Sequence, residues 1–178
     1  MRGNKIQIAK TTLKLLEKNS WNKISLQNIL KNKKDNSIKN KNDLIININR
    51  YFDFLLKQNL VNMEKSTTKD MLFEVLMARM DLLNQYRKSI KNLIKYFSSK
   101  PYQFANLFPS FADSIVLMSS LSNIEVSGVK GLAKVKAIFI LYLIIIYTWN
   151  KDETESLEKT MTTLDKYLNN LEKIFKLI

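Results

Sequence analysis

The sequence has 178 residues and a formal net charge of +13 at pH 7, from 29 Lys and Arg against 16 Asp and Glu. It contains no cysteine and no histidine, which excludes disulfide bonds and thiolate nucleophiles and removes the commonest general base and metal ligand. A Gly-rich phosphate-binding loop is also absent from the sequence. We therefore expect neither an enzyme nor a metal or cofactor site.

The basic residues are concentrated towards the N-terminus. Residues 1–65 contain 14 basic and 5 acidic side chains, a net charge of +9, whereas residues 66–178 contain 15 and 11, a net charge of +4. A basic excess in one part of a chain is typical of a surface that faces nucleic acid. A solvated lysine surface with no partner is an equally good interpretation.

The N-terminal third predicts three helices. Periodicity indicates an amphipathic helix over residues 5–19. Ser25 is a favourable N-cap for a short helix at Leu26–Leu30. Residues 31–42 contain a single apolar side chain, so they predict a loop or a poorly formed helix. A long helix is expected from about residue 43 to residue 60.

The middle of the chain predicts three further helices separated by turn residues. The first follows a cap within residues 66–68 and extends to about residue 83, the second covers residues 87–97, and the third covers residues 111–121. Two prolines favour a loop over residues 98–109. Glycines favour a turn over residues 127–131.

Residues 132–149 form the most apolar segment of the chain. Between Ala137 and Trp149 only Thr148 is polar, so the sequence predicts a helix that is buried on every side. The run is shorter than the roughly 20 apolar residues that cross a bilayer. We therefore expect a central core helix and no integral membrane span.

The C-terminal segment predicts a second long helix, which we expect to begin near Glu153 because Asp152 and Glu155 have capping-box spacing. Its apolar residues alternate in steps of four and three, which is the pattern of a seam that packs against another helix. Together with residues 132–149, this seam predicts a helical homodimer. The expected interface residues are Leu157, Met161, Leu164, Leu168 and Leu171.

Several methionine and aromatic side chains in the helices from residue 71 to residue 147 are candidates for an adaptable apolar ligand site. Ordinary core packing is the competing interpretation of the same residues. The candidate pocket residues are Met77, Tyr86, Phe97, Phe108, Met118 and Tyr142.

The N-terminal segments SWNKISLQNIL (residues 20–30) and KNDL (residues 41–44) resemble the helix-turn-helix module of TetR-family transcriptional regulators. The resemblance implies an all-α fold with an N-terminal DNA-binding module of three to four helices at residues 1–60. It also implies a helical ligand-binding and dimerisation domain at residues 66–178. The matching positions are Ser20, Ser25, Leu26, Ile29, Lys41 and Leu44.

The segment between the two matching stretches departs from the family. Only eleven residues, 30–40, separate Ile29 from Lys41, and they lack the family's signature residues. We therefore expect a recognition helix that is shortened or lost. Lysines in this region would contact phosphates, which position a protein on DNA without specifying a sequence. The candidate DNA-contacting residues are Ser25, Lys31, Lys33, Lys34, Ser37, Lys39 and Lys41.

A second resemblance involves residues 72–90 and the segment WNKDETESLEKTMTTLDKYL, residues 149–168. Both segments are similar to TetR-like bacterial proteins, and the W-x-x-D layout is similar to that of the lipid-binding accessory protein of coenzyme Q (ubiquinone) biosynthesis. That resemblance implies a TetR fold without DNA binding, with an apolar pocket for an isoprenoid lipid and contact with a membrane.

Two functions therefore follow from the sequence. The first is a cytoplasmic, homodimeric TetR-like regulator that binds DNA through its basic N-terminal module under the control of a small apolar ligand. The alternative is the lipid-binding accessory protein. The basic N-terminal third favours the regulator, whereas the short segment before Lys41 favours the alternative.

Overall fold

Helices make up almost all of the regular structure. A computed structural model of the chain describes residues 1, 3–30 and 35–177, apart from the side chains of residues 174, 176 and 177. Within these residues the fold is all-α, as predicted, and contains no strand. The helices are α1 (Gly3–Lys18), α2 (Leu26–Leu30), α3 (Lys41–Asn59), α4 (Thr68–Asn84), α5 (Arg87–Ser98), α6 (Pro101–Ala105), α7 (Phe108–Leu121), α8 (Gly128–Lys151) and α9 (Glu158–Leu177), with a 3₁₀ turn at Trp21–Lys23.

The chain divides into two compact units. Unit 1 consists of Met1–Gln58 and Leu82–Ser114, and unit 2 consists of Asn59–Asp81 and Ile115–Ile178. This division differs from the sequence-based domains, 1–60 and 66–178, because the segment Leu82–Ser114 groups with the N-terminal residues. No helix within the described ranges is both long enough and apolar enough to cross a membrane.

In unit 1, α1 packs against α5. The amphipathic pattern places Ala9, Leu13 and Leu16 in the core, where each is fully buried. Two polar side chains of α5 extend this packing, because the Ser89 hydroxyl donates to the Leu13 carbonyl at 2.7 Å and the Asn92 amide donates to the Leu16 carbonyl at 2.6 Å. These bonds join residues that are 76 positions apart in the sequence.

A buried polar network joins α3 to the beginning of α7 inside unit 1. The Asn49 amide donates to the Ser114 hydroxyl at 2.8 Å and to the Ser110 carbonyl at 3.0 Å. The Ser114 hydroxyl in turn donates to Oδ2 of Asp53 at 2.8 Å. Buried polar groups require such partners, because an unsatisfied one costs about 1–3 kcal/mol. The network therefore fixes the register of α7 on α3.

In unit 2, α8 packs against α9. Four leucines of the predicted seam, Leu157, Leu164, Leu168 and Leu171, are buried within the single chain. In the first turn of α8, a Cβ placed on Gly131 would lie 2.3 Å from the backbone carbonyl carbon of Val126, so no larger residue fits there. The beginning of α8 therefore packs closely against the segment that precedes it.

Three sequence-based expectations about this architecture are wrong. The predicted loop over residues 98–109 contains the short helix α6 and the beginning of α7. Helix α9 begins at Glu158 and not near Glu153. The predicted turn over residues 127–131 is helical from Gly128 onwards, where α8 begins, and within the single chain α8 carries an exposed apolar stripe.

The late start of α9 follows from the hydrogen bonds of Asp152. Its Oδ1 accepts from the amide and hydroxyl of Thr154, at 3.1 and 2.6 Å, and its Oδ2 accepts from the amide and hydroxyl of Thr160, both at 2.8 Å. A capping box with Glu155 does not form this helix end. The turn requires a left-handed backbone at Leu157, with φ of 55°, which is unfavourable for leucine. The four hydrogen bonds offset that strain.

Burial alone would raise the pKa of Asp152, but the hydrogen bonds from Thr154 and Thr160 outweigh it and lower the pKa to about 2. The folded-state pKa therefore lies below the unfolded value of 3.8. A carboxylate of this kind stabilises the fold by about 2 kcal/mol above pH 4, and that contribution is lost as the pH falls towards 2.

We predict that Asp152→Asn lowers the free energy of unfolding at pH 7 by about 2 kcal/mol, because an amide cannot accept all four hydrogen bonds. The variant should also lose less stability than the wild type between pH 4 and pH 2. Urea unfolding followed by circular dichroism at several pH values measures both effects. Glu155→Gln is the matched control, with an expected change within about 0.5 kcal/mol. Equal losses in the two variants would contradict this role of Asp152.

Candidate nucleic-acid interface

The described part of the segment between α2 and α3 contains no recognition helix. Helix α2 ends at Leu30, and residues 35–40 form a turn in which Oδ1 of Asp35 accepts from the Ser37 amide at 2.9 Å. Three predicted contacts, Lys31, Lys33 and Lys34, lie outside the described residues.

Helix α3 begins with a reciprocal cap. Oδ2 of Asp43 accepts from the backbone amides of Lys39 and Asn40, at 2.7 and 2.9 Å, and Oδ1 of Asn40 accepts from the Asp43 amide at 3.1 Å. This exchange satisfies amides at the helix N-terminus. Of the predicted DNA-contacting residues near it, Ser37 and Lys39 are exposed, whereas Ser25 is half-buried.

The lysine of the Lys-x-x-Leu pattern is directed into the protein. The Lys41 ammonium donates to the Trp21 carbonyl at 2.8 Å and lies 4.8 Å from the centroid of the Trp21 ring. Partial burial lowers the pKa of Lys41. Leu44, the other residue of the pattern, is fully buried. Both residues therefore help to hold α3 in place, and the ammonium group of Lys41 is directed towards Trp21.

The two units differ completely in charge. Unit 1 carries 18 basic and 5 acidic side chains, a net charge of +13, whereas unit 2 carries 11 of each and is neutral. The separation is sharper than the one between the two parts of the sequence, because the segment Leu82–Ser114 adds five basic side chains and one acidic side chain to unit 1. All of the net positive charge therefore belongs to the unit that contains the N-terminal helices.

The basic residues of α5 were missed by the sequence-based assignment. This helix contains Arg87, Lys88, Lys91 and Lys95 and no acidic residue, and Lys88 and Lys95 are exposed. The composition of the segment was visible in the sequence, but its packing against α1 depends on contacts between distant residues. A count of charges helix by helix could have found these basic residues of α5, whereas the division of the chain at residue 65 could not.

The six candidate pocket residues do not belong to one unit. Met77, Met118 and Tyr142 lie in unit 2, and Tyr86, Phe97 and Phe108 lie in unit 1. Met118 and Tyr142 are buried, whereas Phe108 is 42% exposed.

Some of the pocket candidates contact other residues of their own unit. In unit 1, the centroid of the Phe104 ring lies 5.7 Å from the ring centroid of Phe97 and 5.4 Å from that of Phe108. In unit 2, the Tyr142 hydroxyl lies 3.5 Å from Nε of the buried Arg79. These contacts are compatible with core packing, and the pocket stays a prediction.

The predicted dimer residues are mostly covered within one chain. Of the five, only Met161 is exposed, at 39%. The larger exposed apolar surface lies on α8, where Leu132, Ile140, Leu143 and Tyr147 follow one helical stripe.

Comparison with protein-family models and with curated proteins finds no match to the chain.

We predict that Lys41→Gln lowers the free energy of unfolding by about 1–2 kcal/mol, because it removes a charge-assisted hydrogen bond and a cation–π contact to Trp21. Lys39→Gln, which changes a neighbouring exposed lysine, should leave stability within about 0.5 kcal/mol of the wild type. Chemical denaturation measures both values. If Lys41→Gln is as stable as Lys39→Gln, the inward contact of Lys41 has no structural role.

Proposed function

We propose that the chain is a homodimeric TetR-like regulator that binds DNA through unit 1 and that unit 2 supplies dimerisation and the site for a small apolar ligand. The observation that carries this proposal is the complete separation of charge between a unit with net charge +13 and a neutral unit. A positive surface attracts nucleic acid and accelerates its association. Genome-wide lysine enrichment would not by itself separate the charges in this way.

The proposed mode of DNA binding is electrostatic. Specific readout in helix-turn-helix proteins requires a recognition helix in the major groove, and the described residues just before α3, 35–40, are not helical. Lysines that contact phosphates release counterions, so the affinity depends steeply on salt concentration and weakly on sequence. We therefore expect a regulator that occupies DNA with little discrimination between sequences.

The proposed dimer uses the exposed stripe of α8. Ile140 and Tyr147 are 60% and 61% exposed, and Leu132 and Leu143 continue the same face. Because unit 2 has no net charge, net charge does not keep two copies of it apart, although the exposed Lys136 lies on the same face and has to reach solvent at the rim, whereas two copies of unit 1 would repel each other. A second copy of the chain is therefore the partner that we propose for this stripe.

We predict that Ile140→Glu combined with Leu143→Glu converts the dimer to a monomer, because two buried carboxylates would face their own copies across a two-fold axis. Size-exclusion chromatography with light scattering measures the mass. Val61→Glu, at a residue that is 76% exposed outside the stripe, is the control and should stay dimeric. A wild-type monomer, or an unchanged dimer in the double variant, would remove this interface. Leu164 is a poor test site because it is fully buried in the chain.

A second candidate function is the lipid-binding accessory protein. The observation that favours it is the turn at residues 35–40, where a regulator would need part of a recognition helix. In that function the basic unit would face an anionic surface and the apolar ligand would be an isoprenoid lipid.

We predict that the full-length protein binds duplex DNA at low salt, with a steep loss of affinity as salt increases. Two unrelated duplexes of equal length should differ by less than about tenfold, far below the 10³–10⁷-fold preference that is typical of specific sites. Fluorescence anisotropy titrations measure both quantities. A protein that ignores DNA at low salt but is thermally stabilised by an isoprenoid quinone would instead be the accessory protein, since a ligand that binds only the folded state raises its stability.

A further inference from the structure

Helix α1 carries a regular stripe of exposed lysines. Lys10, Lys14 and Lys18 are spaced four residues apart, and all three are exposed. Residues four apart lie on the same face of a helix, and each step advances about 6 Å along its axis. The buried face of α1 is on the other side, where Ala9 and Leu13 are fully covered. The three ammonium groups therefore form a row on the surface of unit 1.

Helix α5, which packs against α1, carries two further exposed lysines. Lys88, Asn92 and Lys95 lie on one stripe, with spacings of four and three residues. The Asn92 amide donates to the Leu16 carbonyl of α1 at 2.6 Å. Because Asn92 lies between the two exposed lysines, Lys88 and Lys95 are held about one helical turn to either side of this contact with α1.

Few acidic side chains of unit 1 are placed to neutralise these lysines. Helix α5 has no acidic residue, and the only one in α1 is the half-buried Glu17. Two of the other acidic residues of unit 1 are used elsewhere: Asp43 caps α3, and Asp53 is buried in the polar network with Ser114. A further one, Asp113, forms an ion pair with Arg50.

The surface chemistry favours nucleic acid over a membrane. A helix that lies on a bilayer inserts large apolar side chains beside its basic residues. The exposed large hydrophobic residues of the described chain do not include any residue of α1 or α5. Rows of lysine without apolar neighbours instead match the phosphates of a duplex, which carries about one negative charge per 1.7 Å of helix axis.

We propose that α1 and α5 together form the DNA-binding surface, the α1–α5 lysine surface (Lys10, Lys14, Lys18, Lys88 and Lys95), and that it holds the phosphate backbone of duplex DNA without reading its sequence. This inference rests on the proposed function and assigns the DNA contact to a place other than the segment between α2 and α3. The exposed basic residues of the surface are all lysines, which contact phosphates as point charges and lack the planar fork with which arginine reads guanine.

The test compares two variants that lose the same charge. In Lys14→Gln/Lys88→Gln/Lys95→Gln, glutamine keeps a helix propensity similar to that of lysine. The control, Lys130→Gln/Lys159→Gln/Lys166→Gln, changes three exposed lysines of unit 2. Circular dichroism and urea unfolding verify that both proteins fold. DNA affinity is then measured by anisotropy over a series of salt concentrations, with one duplex throughout.

The α1–α5 variant should lose at least about tenfold in affinity at low salt, and the slope of log K against log salt should become shallower by about 2 to 3. The control should stay within about twofold of the wild type. If the wild type binds DNA but both variants lose affinity equally, or if only Lys33→Gln/Lys34→Gln weakens binding, the surface is wrong and the proposed function survives. A wild type that ignores DNA overturns both. If it then binds phosphatidylglycerol vesicles through the same lysines, the partner is a membrane.

Discussion

The contact between α1 and α5 determines how charge is arranged in this protein. It depends on the apolar face of α1 and on two hydrogen bonds, from Ser89 to the Leu13 carbonyl and from Asn92 to the Leu16 carbonyl. Through it, the segment Leu82–Ser114, whose net charge is +4, joins a segment, Met1–Gln58, whose net charge is already +9. The remaining helices form a neutral unit. The separation of charge on which the proposed function depends is therefore a consequence of tertiary packing.

Because the two units differ in net charge, we expect them to bind different kinds of partner. Self-repulsion destabilises a unit with a charge of +13 and keeps it from associating with copies of itself, whereas a polyanion relieves the repulsion. The neutral unit has no such barrier, and it carries the exposed apolar stripe of α8. The proposed DNA binding by one unit and the proposed self-association by the other both rest on this charge distribution. A regulator would need both properties, whereas the accessory protein would need a lipid site and no DNA binding.

Local patterns predicted the helices well but not the long-range contacts. The short helix α2 begins at Leu26, as predicted, because capping and apolar spacing are local signals. The beginning of α9 was misplaced because Asp152 caps it through Thr160, eight residues away. The contact of Lys41 with Trp21 spans 20 residues, so the local pattern could not show it. The lysines of α5 were overlooked for the same reason, since only folding brings them next to α1.

The proposed DNA-binding surface is tested most directly by measuring how far bound DNA protects individual lysines of the full-length protein from chemical modification. Lysines that contact phosphates should react more slowly with an acetylating reagent when duplex DNA is bound, and mass spectrometry reports the change at each site. We expect bound DNA to slow acetylation at Lys14, Lys88 and Lys95 and to leave the reactivity of Lys159 and Lys166, in the neutral unit, unchanged. Protection spread evenly over both units, or confined to unit 2, would contradict it.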